Sequence, residues 1–372
     1  LYNLANLYED RGDRDKTVSL FRRILALDPN NPKALARLAP LVADEADLVE
    51  RLDAVSLSKE ISISDRIDAL HALGKIRDAQ ADYDRAFVYF EAANVLNATQ
   101  MPPYDQEAVE RYFDQIIESV SATWLETHRL NETAQPIFVC GMFRSGSTLA
   151  DQILGSHPDI TTGGERDSLV REFNSSRLRY PADLVDVEQA TLSGIAGRYL
   201  ARSKALFPEA RLLTDKRPDN FLYLGAMKAL FPKAKIIYTM RNPLDNCLSV
   251  YFERLGLAMN YAVSLDSTAH YYEQQVRLRN HWQSLFGADV HVVDYEQLIK
   301  EPKSQVSEML RFLGLEWHDD CLNFHALGNT VKTASVWQIR KPLYTTSVGR
   351  WRNYESHLGA LAERYADGTG GA

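Results

Sequence analysis

The sequence is poor in cysteine, in long apolar runs and in net positive charge. Its three cysteines, Cys140, Cys247 and Cys321, lie far apart and form neither a CxxC pair nor a zinc-ligand spacing. They read as ordinary thiols, so no metal site is expected. Low cysteine use fits a reducing compartment, and a cytoplasmic location is the expectation. No apolar run approaches the ~18–20 residues needed to span a bilayer, so no membrane segment is expected in this chain. Lysine and arginine number 42 against 50 aspartates and glutamates, a net charge of −8. That balance argues against a nucleic-acid binder with a broad basic surface, but leaves room for a local cationic pocket. The 372 residues allow two or three domains. The chain opens on Leu1, inside a helical pattern, so a longer natural chain is expected.

What is present falls into two halves. The first hundred residues read as helix after helix. Tyr2 to Tyr8 carries apolar residues at helical spacing and Gly12 stops it. Thr17 to Leu27 is a second amphipathic helix, ended by Asp28-Pro-Asn-Asn-Pro32. This unit of about 34 residues resembles a tetratricopeptide repeat, with Leu4, Ala5, Tyr8, Gly12, Phe21 and Pro29 on the repeat's positions. Leu70, Leu73, Gly74, Ala86, Phe90 and Ala93 take the same places in Ile67–Leu96. The unit between, roughly Pro32–Ser64, keeps helical spacing but has lost the signature. Three repeats are expected, the middle one eroded.

Met101-Pro-Pro-Tyr104 interrupts the helices, and Asp105–Leu125 reads as one connector helix presenting Tyr112, Phe113, Ile116, Ile117 and Val120 on a face. From Pro136 the pattern changes. Short β-rich runs at Ile137–Cys140, Arg211–Thr214, Lys235–Met240 and Val290–Val293 alternate with helices, which predicts an α/β domain with a parallel sheet covered on both faces. The expected organisation is a helical repeat domain at 1–100, a connector at 101–134 and an α/β domain at 135–372. The glycine-rich stretch 367–372 is expected to lack fixed structure.

The sharpest motif is Gly141-Met-Phe-Arg144-Ser145-Gly146-Ser147-Thr148, after a strand and before a helical run at Leu149–Leu154. Strand, loop and helix in that order make a phosphate cradle: glycines let the backbone approach, and the first N–H groups of the helix attract an anion. The spacing is that of a nucleoside-triphosphate loop, but Ser147 stands where its lysine belongs. That lysine reaches the β- and γ-phosphates, so ATP or GTP hydrolysis is disfavoured. Asp294, after Val292-Val293, could pass for a magnesium-binding aspartate, a weak signal on its own.

The stretch from Pro136 to Leu149 resembles the 5′-phosphosulfate loop of sulfotransferases, in particular the tyrosylprotein sulfotransferase branch and its bacterial tetratricopeptide-repeat relatives. The resemblance runs from about Gln135 to Tyr354, together with the repeats in front. It implies a P-loop-type three-layer sulfotransferase domain, with 3′-phosphoadenylyl sulfate as donor and adenosine 3′,5′-bisphosphate as product. It places Arg144, Ser145, Gly146, Ser147 and Thr148 around the 5′-phosphosulfate. Arg241 and Ser249, eight residues apart after the Lys235–Met240 run, take the places of an arginine and a serine that hold the 3′-phosphate. A charge-assisted arginine fork and a hydroxyl donor suit that group. Tyr295 matches a tyrosine near the nucleotide. Ser335 to Lys341 resembles a segment closing over it, and Arg350 matches a basic residue contacting phosphate. One departure is Glu253, at a position where that branch has an arginine four residues past the serine.

Sulfuryl transfer needs a base for the acceptor hydroxyl and positive charge on the leaving phosphate. Glu165, in Thr162-Gly-Gly-Glu-Arg166, resembles the catalytic glutamate of the branch; on residue type alone it is a solvated loop charge. Lys216, in Asp215-Lys-Arg-Pro218, can donate to the bridging oxygen, with Arg144 sharing the role and Ser335 matching a serine near the same leaving group. His157 is a weaker candidate base, since Ser156-His157-Pro158 turns the chain. The acceptor is a hydroxyl, with tyrosine or another protein hydroxyl included. The repeats would recruit such a protein or peptide acceptor or mediate a homodimer; the alternative is that they only buttress the catalytic domain. The competing functions are an interaction scaffold with a degenerate nucleotide site and a P-loop kinase.

Overall fold

The computed structural model describes residues 1–326 and 345–365. Ser335, Lys341 and the glycine-rich end 367–372 lie outside them. Six helices pack together at the front: α1 (Tyr2–Asp10), α2 (Arg14–Leu27), α3 (Pro32–Leu38), α4 (Ala46–Leu57), α5 (Ile63–Ala79) and α6 (Tyr83–Ala98). Their boundaries follow local chemistry. Asp13 and Asn31 accept from backbone N–H groups at the starts of α2 and α3, and Pro32 occupies the first turn of α3. Ser62 caps α5 through the Asp65 N–H while Asp65 returns a contact to its hydroxyl at 2.7 Å. The repeat glycine Gly74 has a packing reason: a Cβ there would lie 2.7 Å from the Phe90 ring of α6. The middle pair is shortened, because Pro40 diverts the chain into a three-residue 3-10 turn after α3.

The connector is not one helix. Helices α7 (Gln106–Ser119) and α8 (Ala122–His128) are separated at Val120–Ser121, where the Ser121 hydroxyl accepts from Trp124 N at 3.1 Å and starts a new helix.

A five-stranded, wholly parallel sheet forms the second half: β1 (Ile137–Cys140), β2 (Ile160–Thr162), β3 (Leu212–Lys216), β4 (Lys235–Met240) and β5 (Val290–Asp294), in the order β2-β3-β1-β4-β5. β2 was not expected; its three residues pair with Leu212–Thr214 and are too few to give a periodic signal. Strand β1 is central, with every residue buried. Its side chains alternate between two cores. Phe138 and Cys140 join the cluster with Tyr199, Phe231 and Trp282, whereas Ile137 and Val139 join that with Leu149, Ile153 and Leu298. Helices thus cover both faces, as a parallel sheet requires.

The repeats are docked on this domain. Phe90 of α6 stacks on Phe252 with ring centroids 4.0 Å apart, and Asn94 donates to the Tyr251 carbonyl at 2.7 Å. The C-terminal helix Glu355–Arg364 closes the joint, with His357 stacked on Phe87 at 4.4 Å. Burying a phenylalanine is worth roughly 1.5–3 kcal/mol, so these rings hold the joint more firmly than its exposed ion pairs do.

Candidate functional site

Most of the expected site residues gather at the carboxyl ends of parallel strands, where open α/β sheets place their ligands. β1 runs into the Gly141–Gly146 loop, β3 ends on Lys216, β4 leads directly to Arg241, and β5 leads directly to Tyr295.

The loop is tightly built. Gly141 has φ of +148° and Gly146 of +101°, and a Cβ on Gly141 would come 2.3 Å from the Thr239 carbonyl. Arg144 also holds a positive φ, +67°, at a cost of about 1–3 kcal/mol. The Ser145 hydroxyl lies 2.7 Å from Thr239 Oγ1, so this side chain ties the loop to β4. Asn246 Nδ2 donates to the Phe143 carbonyl at 2.7 Å and braces the other side. Helix α9 (Ser147–Leu154) follows, with Ser147 and Thr148 buried in its first turn.

Two charged groupings flank this loop. In the first, Lys216, 2% exposed, places Nζ 2.5 Å from Glu165 Oε1 and donates to Thr148 Oγ1 at 3.3 Å. Below it Asp151 of α9 accepts from Thr214 at 2.6 Å; burial pushes its carboxyl above the ordinary range, against the pull of Lys216. In the second, Arg144 Nε donates to Ser249 Oγ at 3.0 Å, and Arg241 donates to the Arg144 carbonyl at 3.2 Å and to the Ser347 carbonyl at 2.6 Å. The Arg241 guanidinium lies over the Tyr295 ring at 4.8 Å, and Tyr295 in turn meets the Ser347 hydroxyl at 2.9 Å. Gly146 needs its missing side chain here, since a Cβ would stand 2.6 Å from Tyr295. Burial lowers the Arg241 pKa, and its Nε has no partner among the described atoms. A buried guanidinium nitrogen left unpaired next to an anion loop fits a phosphate or sulfate ligand.

Other expected residues go elsewhere. Arg350 pairs with Asp78 of α5 at 2.7 Å and lies over Phe252, at the joint with the repeats. Asp294 caps the short helix Tyr295–Lys300 through Gln297 N at 2.8 Å, an ordinary structural duty. His157 contacts the Glu316 carbonyl at 3.1 Å and the His318 ring. Asp245 was missed: it accepts from Gly349 N at 2.6 Å and Trp351 N at 2.8 Å, holding the C-terminal segment against the helix Pro243–Tyr251. Its place two residues after a strand-end proline was the only available signal.

Glu165 also borders a cavity of about 460 Å³ whose walls include Phe143, Arg217, Phe221, Met259 and Tyr271. It therefore stands between the loop and a space with aromatic walls, while Arg217 is neutralised there by Asp219 at 2.7 Å.

A tight glycine loop, strand-end cations and an adjoining cavity thus lie together at one end of the sheet. Residues 136–319 match the model of the sulfotransferase family, and residues 1–41 match a tetratricopeptide-repeat model. An uncharacterised protein of Aquifex aeolicus (strain VF5) is 29% identical over 99% of this chain and 50% of its own length. The chain thus spans half of that relative. Protein-tyrosine sulfotransferase 1 of Danio rerio is 25% identical over 59% of this chain and 66% of its own. Among solved structures, the sulfotransferase domain of the Synechococcus PCC 7002 olefin synthase is 20% identical over 64% of this chain and 97% of its own, with a TM-score of 0.46. Among the described residues no helix is long and apolar enough to cross a membrane.

Proposed function

We propose that the chain transfers a sulfuryl group from 3′-phosphoadenylyl sulfate to an acceptor hydroxyl, a protein tyrosine or another protein hydroxyl among the candidates. One observation carries the reading: Glu165 faces the acceptor-sized cavity on one side and the Lys216–Thr148 end of the anion loop on the other. The residues present fit the donor. The loop from Arg144 to Thr148 suits its 5′-phosphosulfate, and Arg241, with its orphaned Nε, suits its 3′-phosphate together with Ser249 and Tyr295. When bound, the donor supplies the sulfuryl group. Glu165 takes the acceptor's proton at a carboxylate oxygen, and Lys216 and Arg144 supply positive charge where the leaving phosphate forms. The cavity walls orient the acceptor beside Glu165. Ser335, Lys341 and Arg350 are assigned no step. The repeats bring a protein acceptor to this face, and Arg350 serves their attachment.

Adenosine 3′,5′-bisphosphate should raise the melting temperature, by the equivalent of about 2.7 kcal/mol at a hundred times its Kd, while ATP with magnesium does much less. Equal responses to the two would sink the assignment.

A further inference from the structure

Glu253 lies four residues past Ser249, and its side chain is 14% exposed. Its Oε1 is 3.8 Å from Arg144 Nη2, and its Oε2 accepts from Lys75 Nζ at 3.0 Å. Lys75 belongs to α5 of the repeats. A continuous chain of polar contacts thus runs from the repeats through Glu253 and Arg144 to Ser249. The joint is anchored beside it by Arg254, which pairs with Asp68 and donates to Ser64 on the same helix.

A carboxylate this close to an anion site works against phosphate binding. Burial tends to raise the Glu253 pKa, but Lys75 and Arg144 outweigh that and hold it below the ordinary value, so it is ionised at neutral pH. Its charge has to be balanced by something other than Arg144 if Arg144 is to serve the ligand. Lys75 is that balance, and it comes from another domain.

We propose that the repeat array forms part of the nucleotide site: Lys75 neutralises Glu253, a carboxylate that would otherwise repel the 3′-phosphate of the donor beside Ser249. Lys75 is a positioning residue in this account, which rests on the donor reading given above. In it the repeats are more than a docking platform, because loosening the joint weakens the grip on nucleotide.

The test is titration calorimetry on the full chain with adenosine 3′,5′-bisphosphate and, as the probe lacking the 3′-phosphate, adenosine 5′-monophosphate. Lys75→Met should weaken the bisphosphate roughly five- to tenfold and leave the monophosphate unchanged. Adding Glu253→Gln to Lys75→Met should restore bisphosphate binding to within about twofold of the parent, a rescue that a merely structural role for Lys75 would not produce. An unchanged preference in Lys75→Met, equal weakening of both ligands, or failure of the rescue overturns the coupling. A parent chain with no preference for the bisphosphate would instead overturn the donor reading itself, and the coupling with it.

Discussion

Two charged groupings flank the phosphate loop, and they draw on different lengths of chain. Glu165, Lys216 and Thr148 lie within 70 residues of one another and inside one domain; their contacts are set by neighbouring parallel strands and the helix after the loop. Lys75, Glu253, Arg144 and Ser249 span both domains, with 178 residues between the lysine and its carboxylate. The first grouping borders the cavity and suits chemistry. The second suits binding, and its geometry depends on how the repeats are seated. On the proposed reading, nucleotide affinity depends on a contact between the repeats and the sheet domain that the base and its lysine do not need.

The comparison can be broken most forcefully at the first grouping. Glu165→Gln should lower sulfuryl transfer by at least about a hundredfold, while the melting shift produced by adenosine 3′,5′-bisphosphate persists. Retained turnover in that variant would remove the glutamate from the chemistry and make the two groupings alike.

A smaller effect is expected from the strand-end arginine. Arg241→Lys loses the fork that reaches two carbonyls and the face of Tyr295. Bisphosphate affinity should fall roughly tenfold with turnover at saturating donor changed much less. A drop in turnover with unchanged affinity would move Arg241 from the binding group to the chemical one.

A measurement of stability tests the joint itself. His71 of α5 is buried close to Glu253, Lys75 and Arg254, and its pKa is pushed down to about 3, mainly by burial. It is neutral in the folded chain, whereas an unfolded histidine takes up a proton below its ordinary value of 6.5. Its contribution to stability is therefore complete above pH 6.5 and is lost as pH falls toward 3, with a limiting slope of about 1.4 kcal/mol per pH unit. Glu253, held below 4.5, adds acid sensitivity only at lower pH. Melting temperatures measured between pH 6.5 and 5 should fall less steeply in His71→Leu than in the parent. Parallel curves would show that protonation there does not load the joint.

Much of this molecule is legible in its sequence because much of it is local. Strands β1 and β4 fall on the expected runs, since a short, largely apolar stretch closed by a glycine loop or by Asn242-Pro243 has few alternatives. The Gly141–Thr148 loop is recognisable because backbone freedom and the start of a helix are properties of eight consecutive residues. The break in the connector was harder: Ser121 acts through a single cap, which helical periodicity on either side conceals. Strand β2 depends on β3 for its existence.

What the sequence determined alone is therefore most of the succession of elements, the glycine loop and the residue types set around it. Only the tertiary structure decided which charges meet. It set Glu165 against Lys216, turned Arg350 to Asp78, and made Glu253 the partner of a repeat-domain lysine. Dihedral preference and hydrophobic period act over a few residues, so they can be read along the chain. An ion pair requires two side chains within about 4 Å, and for residues far apart in sequence only the packing of whole domains brings that about.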